Sequence, residues 1–225
     1  MAVLSPPIEA VISFNPGYLK AKRIFDILFT SLILLPFCIV LIIVALLIRL
    51  DSKGPIFFRQ KRAGLNGKEF YMIKFRSMYV NSDDSVHREA IVQYMNGASL
   101  NGHARTDAPY KLVNDPRVTR IGRFIRKTSI DELPQFINVL RGEMSLVGPR
   151  PPLPYEVEAY GPREQMRLGG KPGLTGMWQV YGRSRVTFNN MVEMDIAYLQ
   201  QQSIWQDLKL IALTLPVMLQ GRGGV

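Results

Sequence analysis

The chain has 225 residues, 47% of them hydrophobic, and its 28 Lys and Arg against 18 Asp and Glu give a formal charge of +10. That length suits one domain with a real core and room for an appendage. The single cysteine, Cys38, excludes an intramolecular disulfide framework, and with only His87 and His103 beside it a Cys/His zinc site is not expected. A pI near 9.9 calls for an anionic partner: nucleic acid, an acidic membrane surface or a phosphorylated substrate.

Residues 1–19, with Pro6, Pro7, Pro16 and Gly17, show neither helical nor alternating period and read as a mobile lead-in. From Ile27 to Ile48 the sequence ILFTSLILLPFCIVLIIVALLI carries no charge. It reaches the roughly 20 apolar residues that a helix needs to cross a bilayer. A signal peptide would be shorter and would end in small residues, whereas Arg49, Asp51 and Lys53 follow. A buried core helix is the bland alternative. Pro36 sits within the segment, where it removes one backbone donor and clashes with the carbonyl of Leu32. Lys20, Lys22 and Arg23 lie before the segment; Arg49, Lys53, Arg59, Lys61 and Arg62 lie after it. Basic flanks prefer the cytoplasmic side, and a helical hairpin that enters and leaves by one face satisfies both, whereas a straight span satisfies one. The re-entrant reading therefore stands ahead of the spanning one, with Thr30 and Ser31 as candidate donors for carbonyls freed at the break.

Beyond Gly54-Pro55, Ile56–Arg59 and Glu69–Phe75 read as two short strands around Gly64-Leu65-Asn66-Gly67, a β-hairpin. Residues 82–98 begin with a capping serine and two acids and read as a polar helix ending at Gly97. A further helix is predicted from Thr119 to about Arg126. In SIDELPQFINVLRG, Leu133, Phe136, Ile137 and Leu140 recur at helical spacing, with Gly142 as the stop. Residues 145–185 are rich in Gly and Pro but interleaved with Leu, Val, Trp and Tyr, so they read as structured loop rather than linker. Asn189 to about Leu199 reads as helix. Ile204–Leu219 is strongly apolar yet carries Asp207 and Lys209, which suits an interfacial helix with Trp205 at headgroup depth, or a cap on the core.

Neither G-x-x-x-x-G-K-[ST], nor G-x-G-x-x-G after a strand, nor H-E-x-x-H occurs. The remaining chemistry is acidic and basic. Asp131-Glu132 fits a capping box, Ser129-x-x-Glu132, and acids in a first helical turn are ordinary dipole complements. Pro134, however, confines the helix start to Ile130 or Asp131, and carboxylates at a helix N-terminus are held as anions, available as nucleophile or metal ligand. The basic candidates are Lys74 and Arg76 in Lys74-Phe75-Arg76, Arg123, Arg126 and Lys127 before the acidic pair, Arg150 between Pro149 and Pro151, and Arg183 with Arg185. Guanidinium forks match phosphate oxygens; solvated surface charge is the plain alternative, weakest for Arg150, whose flanking prolines fix its backbone. The glycines from Gly169 to Gly182 either let backbone approach a ligand or serve loop geometry.

KFRSM (74–78), IRKTSIDELPQFINVLRGEMSLVGPRPP (125–152) and KPGLTGMWQVYGR (171–183), after a proline-interrupted membrane segment, together resemble the bacterial sugar transferases, the monotopic polyprenyl-phosphate phosphoglycosyl transferases. The resemblance covers roughly residues 20–225. It implies transfer of a sugar-1-phosphate from a UDP-sugar to polyprenyl (undecaprenyl) phosphate, with release of UMP, at the start of exopolysaccharide or O-antigen assembly. It implies Asp131 as nucleophile, an aspartyl-phosphosugar intermediate, Glu132 assisting the metal or the second attack, and Mg²⁺ held at Asp131 and Glu132. Substrate contacts fall on Lys74, Arg76, Arg126, Arg183 and the Pro149-Arg150-Pro151 run. The implied fold is α+β and mainly α: a lead-in (1–19), a re-entrant helix-break-helix at Pro36 (20–52), and a compact catalytic domain (53–225) with a small β-hairpin and interfacial helices. The location implied is the cytoplasmic face of a bacterial inner membrane, with membrane lipid as a partner, no nucleic acid, and a homodimer as a candidate assembly. Residues 184–188 weakly favour glucose or galactose. A one-step transferase whose dyad only binds metal is a further reading, and a non-catalytic basic membrane adaptor for anionic lipid or nucleic acid is the alternative of another class.

Overall fold

A computed structural model of the chain describes residues 15–80, 85–95, 115–182 and 186–219. Helix α1, Pro16–Asp51, begins earlier than the lead-in reading expects: Asn15 caps it, its Oδ1 accepting from the Gly17 amide at 2.9 Å, and Pro16 supplies the N-terminal proline. The helix runs on through Pro36 as a single element instead of separating into two. Thr30, expected to donate near the break, is fully buried and its hydroxyl has no hydrogen-bond partner.

Both halves of α1 pack on the rest of the protein. In the first half Lys22, Asp26 and Thr30 are buried; Arg23 donates to the carbonyls of Val139 and Leu140, and Asp26 accepts from the Leu146 amide at 3.1 Å. In the second half Val44 and Ile48 are buried against Phe75 and Ile125. Between them Leu32, Leu35 and Ile39 are exposed at 71%, 74% and 70%, an apolar surface with no protein against it.

Strands β1 (Phe57–Ala63) and β2 (Glu69–Phe75) form the expected antiparallel hairpin, in register from Phe57↔Phe75 to Ala63↔Glu69. Its turn uses left-handed backbone at Asn66 (φ 54°) and Gly67 (φ 75°). After β2 the chain reaches Arg76, whose guanidinium donates to Lys53 O at 3.0 Å, Ser52 O at 2.7 Å and Ser52 Oγ at 2.9 Å, and lies 3.5 Å from Ile48 O. Arg76 is thus committed to the chain just past the end of α1, where Ser52 is the C-cap. Replacing it with Ala strands these acceptors, and charged hydrogen bonds of this kind contribute about 1.5–3 kcal/mol each. Arg76→Ala is expected to lower the melting temperature in detergent by about 5–10 °C, with Arg76→Lys recovering only part, because an ammonium cannot span the same set of acceptors.

Of the polar helix predicted at 82–98, the described part is α2, Ser85–Met95. Helix α3, Arg120–Lys127, is capped by Thr119, whose Oγ1 accepts from Gly122 N at 2.9 Å. Helix α4, Gln135–Arg141, starts later than predicted and ends at Gly142 in the left-handed region. Its buried residues are Gln135, Asn138 and Val139; the apolar stripe Leu133, Phe136, Ile137 and Leu140 is only half-buried. Asn138 does the fastening: its Oδ1 accepts from Ile73 N at 3.0 Å and its Nδ2 donates to Tyr71 O at 2.8 Å, so α4 is pinned to β2.

The Gly/Pro-rich stretch contains β3 (Ser145–Val147) and β4 (Gly173–Thr175), a short parallel pair, and between them the short helices α5 (Pro154–Glu158) and α6 (Pro162–Gln165). Glycine is required where these strands meet: a Cβ on Gly148 would lie 2.2 Å from the Lys171 carbonyl oxygen. Helices α7 (Met177–Tyr181), α8 (Phe188–Gln201) and α9 (Ile204–Leu219) complete the chain. In α9, Asp207 and Leu210 face the core while Trp205 is 78% exposed. The main core gathers Phe70, Met72, Val139, Met144, Leu146, Tyr198, Leu199 and Leu210, so hairpin, α4, β3, α8 and α9 share one interior.

Candidate active site

Asp131 and Glu132 lie on a single 3₁₀ turn, Ile130–Glu132, between α3 and α4. Pro134 has no amide to donate to an α-helical ladder, which keeps this turn separate from α4. The capping box expected here does not form: Ser129 is left-handed (φ 56°) and its side chain makes no cap hydrogen bond. Instead Ser129 closes α3, its amide donating to Arg126 O at 3.3 Å. A non-glycine residue in that region costs about 1–3 kcal/mol and persists only when the surroundings enforce it. Here the strained residue stands two positions before Asp131.

Asp131 is 6% exposed, a carboxylate in a largely desolvated setting, while Glu132 is half-buried. Lys74, reaching from β2, puts its Nζ 2.8 Å from Glu132 Oε1. The strand is placed by Asn138, so the residue that pins α4 to β2 also sets where Lys74 meets the acidic turn. Arg126 occupies the last turn of α3, half-buried, close enough to Asp115 that its charge helps lower that carboxyl. The first cause there is Arg117, whose guanidinium grips Asp115 at 2.7 Å.

The Pro149-Arg150-Pro151 run is fastened at both ends. Pro149 O accepts from Gly173 N at 2.9 Å, and Pro151 O from an Arg62 guanidinium nitrogen at 2.9 Å. Arg150 lies with its guanidinium carbon 6.0 Å from the Trp178 ring centroid, and its charge reaches Asp195 and Tyr160. Asp195 is fully buried against Arg167 (2.8 Å to Nε). Burial pushes its carboxyl up to about 6, against the opposing pull of Arg167.

Of the predicted residues, Lys74, Asp131 and Glu132 are thus brought together, and Arg126 ends the helix that leads into them. Arg76 is spent on α1, as described above, and Arg183 lies outside the described residues. Sequence reasoning missed Asn138, whose only signal is one amide inside an apolar helix, and the Arg167–Asp195 and Lys22–Asp207 pairs, whose partners lie far apart in the chain.

The acidic dyad is the group to weigh for a divalent ion. Among the described residues no third His, Cys, Asp or Glu joins it to make a cluster of three. Mg²⁺ is commonly bound through one or two carboxylates, its other positions kept for water and substrate phosphates.

Residues 17–221 match the family described as bacterial sugar transferase. The chain is 46% identical over 211 residues to the galactosyl transferase CpsE of Streptococcus agalactiae, covering 93% of this chain and 44% of that protein. It is 38% identical over 203 residues to the exopolysaccharide production protein ExoY of Rhizobium meliloti, covering 90% and 87%. It is 41% identical over 202 residues to the UDP-glucose:undecaprenyl-phosphate glucose-1-phosphate transferase of Escherichia coli, covering 86% and 39%. The chain therefore spans less than half of two of these relatives and most of the third.

Proposed function

The chain belongs to the bacterial sugar transferase family, and from that premise we propose that it transfers a hexose-1-phosphate, glucose or galactose, from a UDP-sugar to undecaprenyl phosphate at the cytoplasmic face of a bacterial inner membrane. The observation that carries this reading is Asp131, buried on its own 3₁₀ turn beside a glutamate that Lys74 holds in place. In the first step an Asp131 carboxylate oxygen attacks the sugar-bearing phosphorus, a P–O bond to it forms, and the bond to UMP breaks. In the second an oxygen of the lipid phosphate attacks the same phosphorus and Asp131 leaves, giving polyprenyl-diphospho-sugar. Dividing the transfer lets a soluble donor and a lipid acceptor use one site in turn.

The approach of a carboxylate to a diphosphate needs countercharge. Lys74 supplies a cation directly at the dyad, Arg126 ends the helix that leads into it, and Arg150, beside Trp178, is a further guanidinium candidate. Asp131 and Glu132 would hold Mg²⁺, which when bound draws charge from the phosphate oxygens. The re-entrant placement of α1 belongs to the same reading. Its support is that both halves of the helix pack on the protein while residues around Pro36 present bare apolar surface.

The test is incubation of the purified chain with radiolabelled UDP-glucose or UDP-galactose and undecaprenyl phosphate. UMP release and a diphosphate-linked lipid of matching mass are expected. A basic membrane adaptor gives neither. Initial-rate kinetics separate the remaining route, since a covalent intermediate gives ping-pong patterns and a one-step transfer a ternary complex.

A further inference from the structure

Helix α3 divides into two faces. Inward, Ile121 and Ile125 pack with Val44 and Ile48 of α1, and Gly122 is backed against Ser77. Outward, Arg120, Arg123, Phe124 and Lys127 recur at i, i+3, i+4 and i+7 and are all exposed, one stripe about 100° wide. The helix, RIGRFIRK, contains no acid, and among the described residues none of these three cations makes an ion pair. The carboxylates around its start are committed elsewhere: Asp51 accepts from the Ile121 amide at 3.1 Å, and Asp115 is gripped by Arg117. The stripe does not serve the helix itself. Arg120 stands at the first helical position, where a cation opposes the macrodipole. Arg120 with Arg123, and Arg123 with Lys127, are like-charge neighbours on one face, which destabilise a helix. Countercharge for this face therefore has to come from outside the chain.

Two observations select a lipid surface among the possible anions. Phe124, 55% exposed, sits inside the basic stripe, and aromatic and basic side chains share the headgroup zone of a bilayer. The helix is also fixed against the last turns of α1, whose residues around Pro36 present bare apolar surface. A nucleic acid offers the same charge but leaves that apolar surface unmet. We propose that the outward stripe of α3 is a docking surface for anionic phospholipid headgroups, with Arg120, Arg123 and Lys127 meeting their phosphates and Phe124 entering between them. This rests on the membrane placement of α1 proposed above and adds the class of headgroup that the bilayer presents to the domain. Because α3 runs directly into the turn of Asp131 and Glu132, the same contact holds the dyad near the headgroup plane.

The experiment follows thermal unfolding of the full chain in detergent while phosphatidylglycerol or phosphatidylcholine is titrated into the micelles. Phosphatidylglycerol is expected to raise the melting temperature of wild type, and phosphatidylcholine to do so far less. Arg120→Gln, Arg123→Gln and Lys127→Gln should each raise the half-saturating fraction of phosphatidylglycerol about fivefold. Arg123→Lys should keep the wild-type value, because a mobile headgroup reads charge rather than the geometry of a guanidinium fork. Melting without added lipid shows that each variant is folded. Equal stabilisation by the two lipids, or Gln variants that titrate like wild type, overturns the assignment while the membrane placement of α1 stands. Glycerol phosphate acting as well as phosphatidylglycerol overturns it in favour of a free-phosphate site, and displacement of the lipid by an oligonucleotide in favour of a nucleic-acid surface. A chain that stays monodisperse without detergent overturns the placement of α1, and the assignment with it.

Discussion

Asp131→Asn is expected to reduce turnover by at least about 10⁴-fold, the scale on which removing a nucleophile acts in enzymes that form covalent intermediates. The substitution keeps the shape of the side chain and removes only its charge and its capacity to form an acyl phosphate. Asp131 lies 6% exposed on a turn defined by the Ser129 and Ile130 carbonyls, which accept from Glu132 N at 3.2 Å and Leu133 N at 3.1 Å. Those bonds are backbone and survive the substitution, and the melting temperature of the asparagine variant, measured beside its turnover, separates lost chemistry from lost stability. Glu132→Gln provides the contrast. It keeps the nucleophile but weakens the ion pair to Lys74, so it should lose less than Asp131→Asn while still slowing both half-reactions. The measurement is UMP release with donor alone and with donor plus acceptor. Incubating wild type with donor alone should add the mass of a hexose phosphate to the peptide that contains Asp131, and Asp131→Asn should show none. Retention of activity within tenfold of wild type would mean that the carboxylate serves another purpose.

The parts of this site that could be read from residues are those whose cause is local. The hairpin follows from a turn rich in Gly and Asn between two apolar-rich runs, and β2 matches its predicted range of Glu69–Phe75. Helix α9 likewise spans its predicted residues, Ile204–Leu219. The position of the acidic pair was visible, but its backbone was not. A serine three residues before a glutamate reads as a cap, yet Ser129 is already committed to ending α3 and adopts the left-handed conformation that a glycine would usually take. The apolar stripe of α4 misled for a related reason. Helical spacing identifies an apolar face without saying whether protein or hydrocarbon covers it, and here Asn138 and Gln135 face the interior instead. Arg76 looked like a phosphate ligand because it stands two residues from Lys74. Only the return of α1's C-terminus to the same place shows that its fork is occupied by carbonyls. The β3–β4 pair rests on three-residue strands, too short for any period to appear.

Breaking the buried pair between Lys22 and Asp207 is expected to have the largest effect on stability. Lys22 Nζ lies 2.7 Å from Asp207 Oδ2, with side chains 9% and 1% exposed. The same carboxylate accepts from Tyr198 at 2.6 Å and from Tyr18 at 2.9 Å. Burial, with Asp207 beside it, keeps the Tyr198 hydroxyl well above its usual range, so it remains a donor at physiological pH. Val147 O of β3 lies 3.3 Å from the same hydroxyl, an alternative acceptor to the closer Asp207 for its one proton. Three elements, α1, α8 and α9, thus converge on one carboxylate. Asp207→Ala leaves an ammonium and two hydroxyls without their acceptor in a dry interior and should cost about 3–5 kcal/mol. Lys22→Met should cost less, because two tyrosines still donate to the carboxylate. The double variant Lys22→Met/Asp207→Leu should be more stable than Asp207→Ala, since no uncompensated charge remains. Thermal unfolding in detergent of the single and double variants gives the coupling. If Asp207→Ala unfolds within about 2 °C of wild type, less than 1 kcal/mol is at stake, and α1 must be held mainly by Arg23, Asp26 and Arg76. If the expected loss is found, the network is what joins the apolar helix to the domain that carries the dyad, and a chain lacking it should lose acceptor turnover at temperatures where the domain itself is still folded.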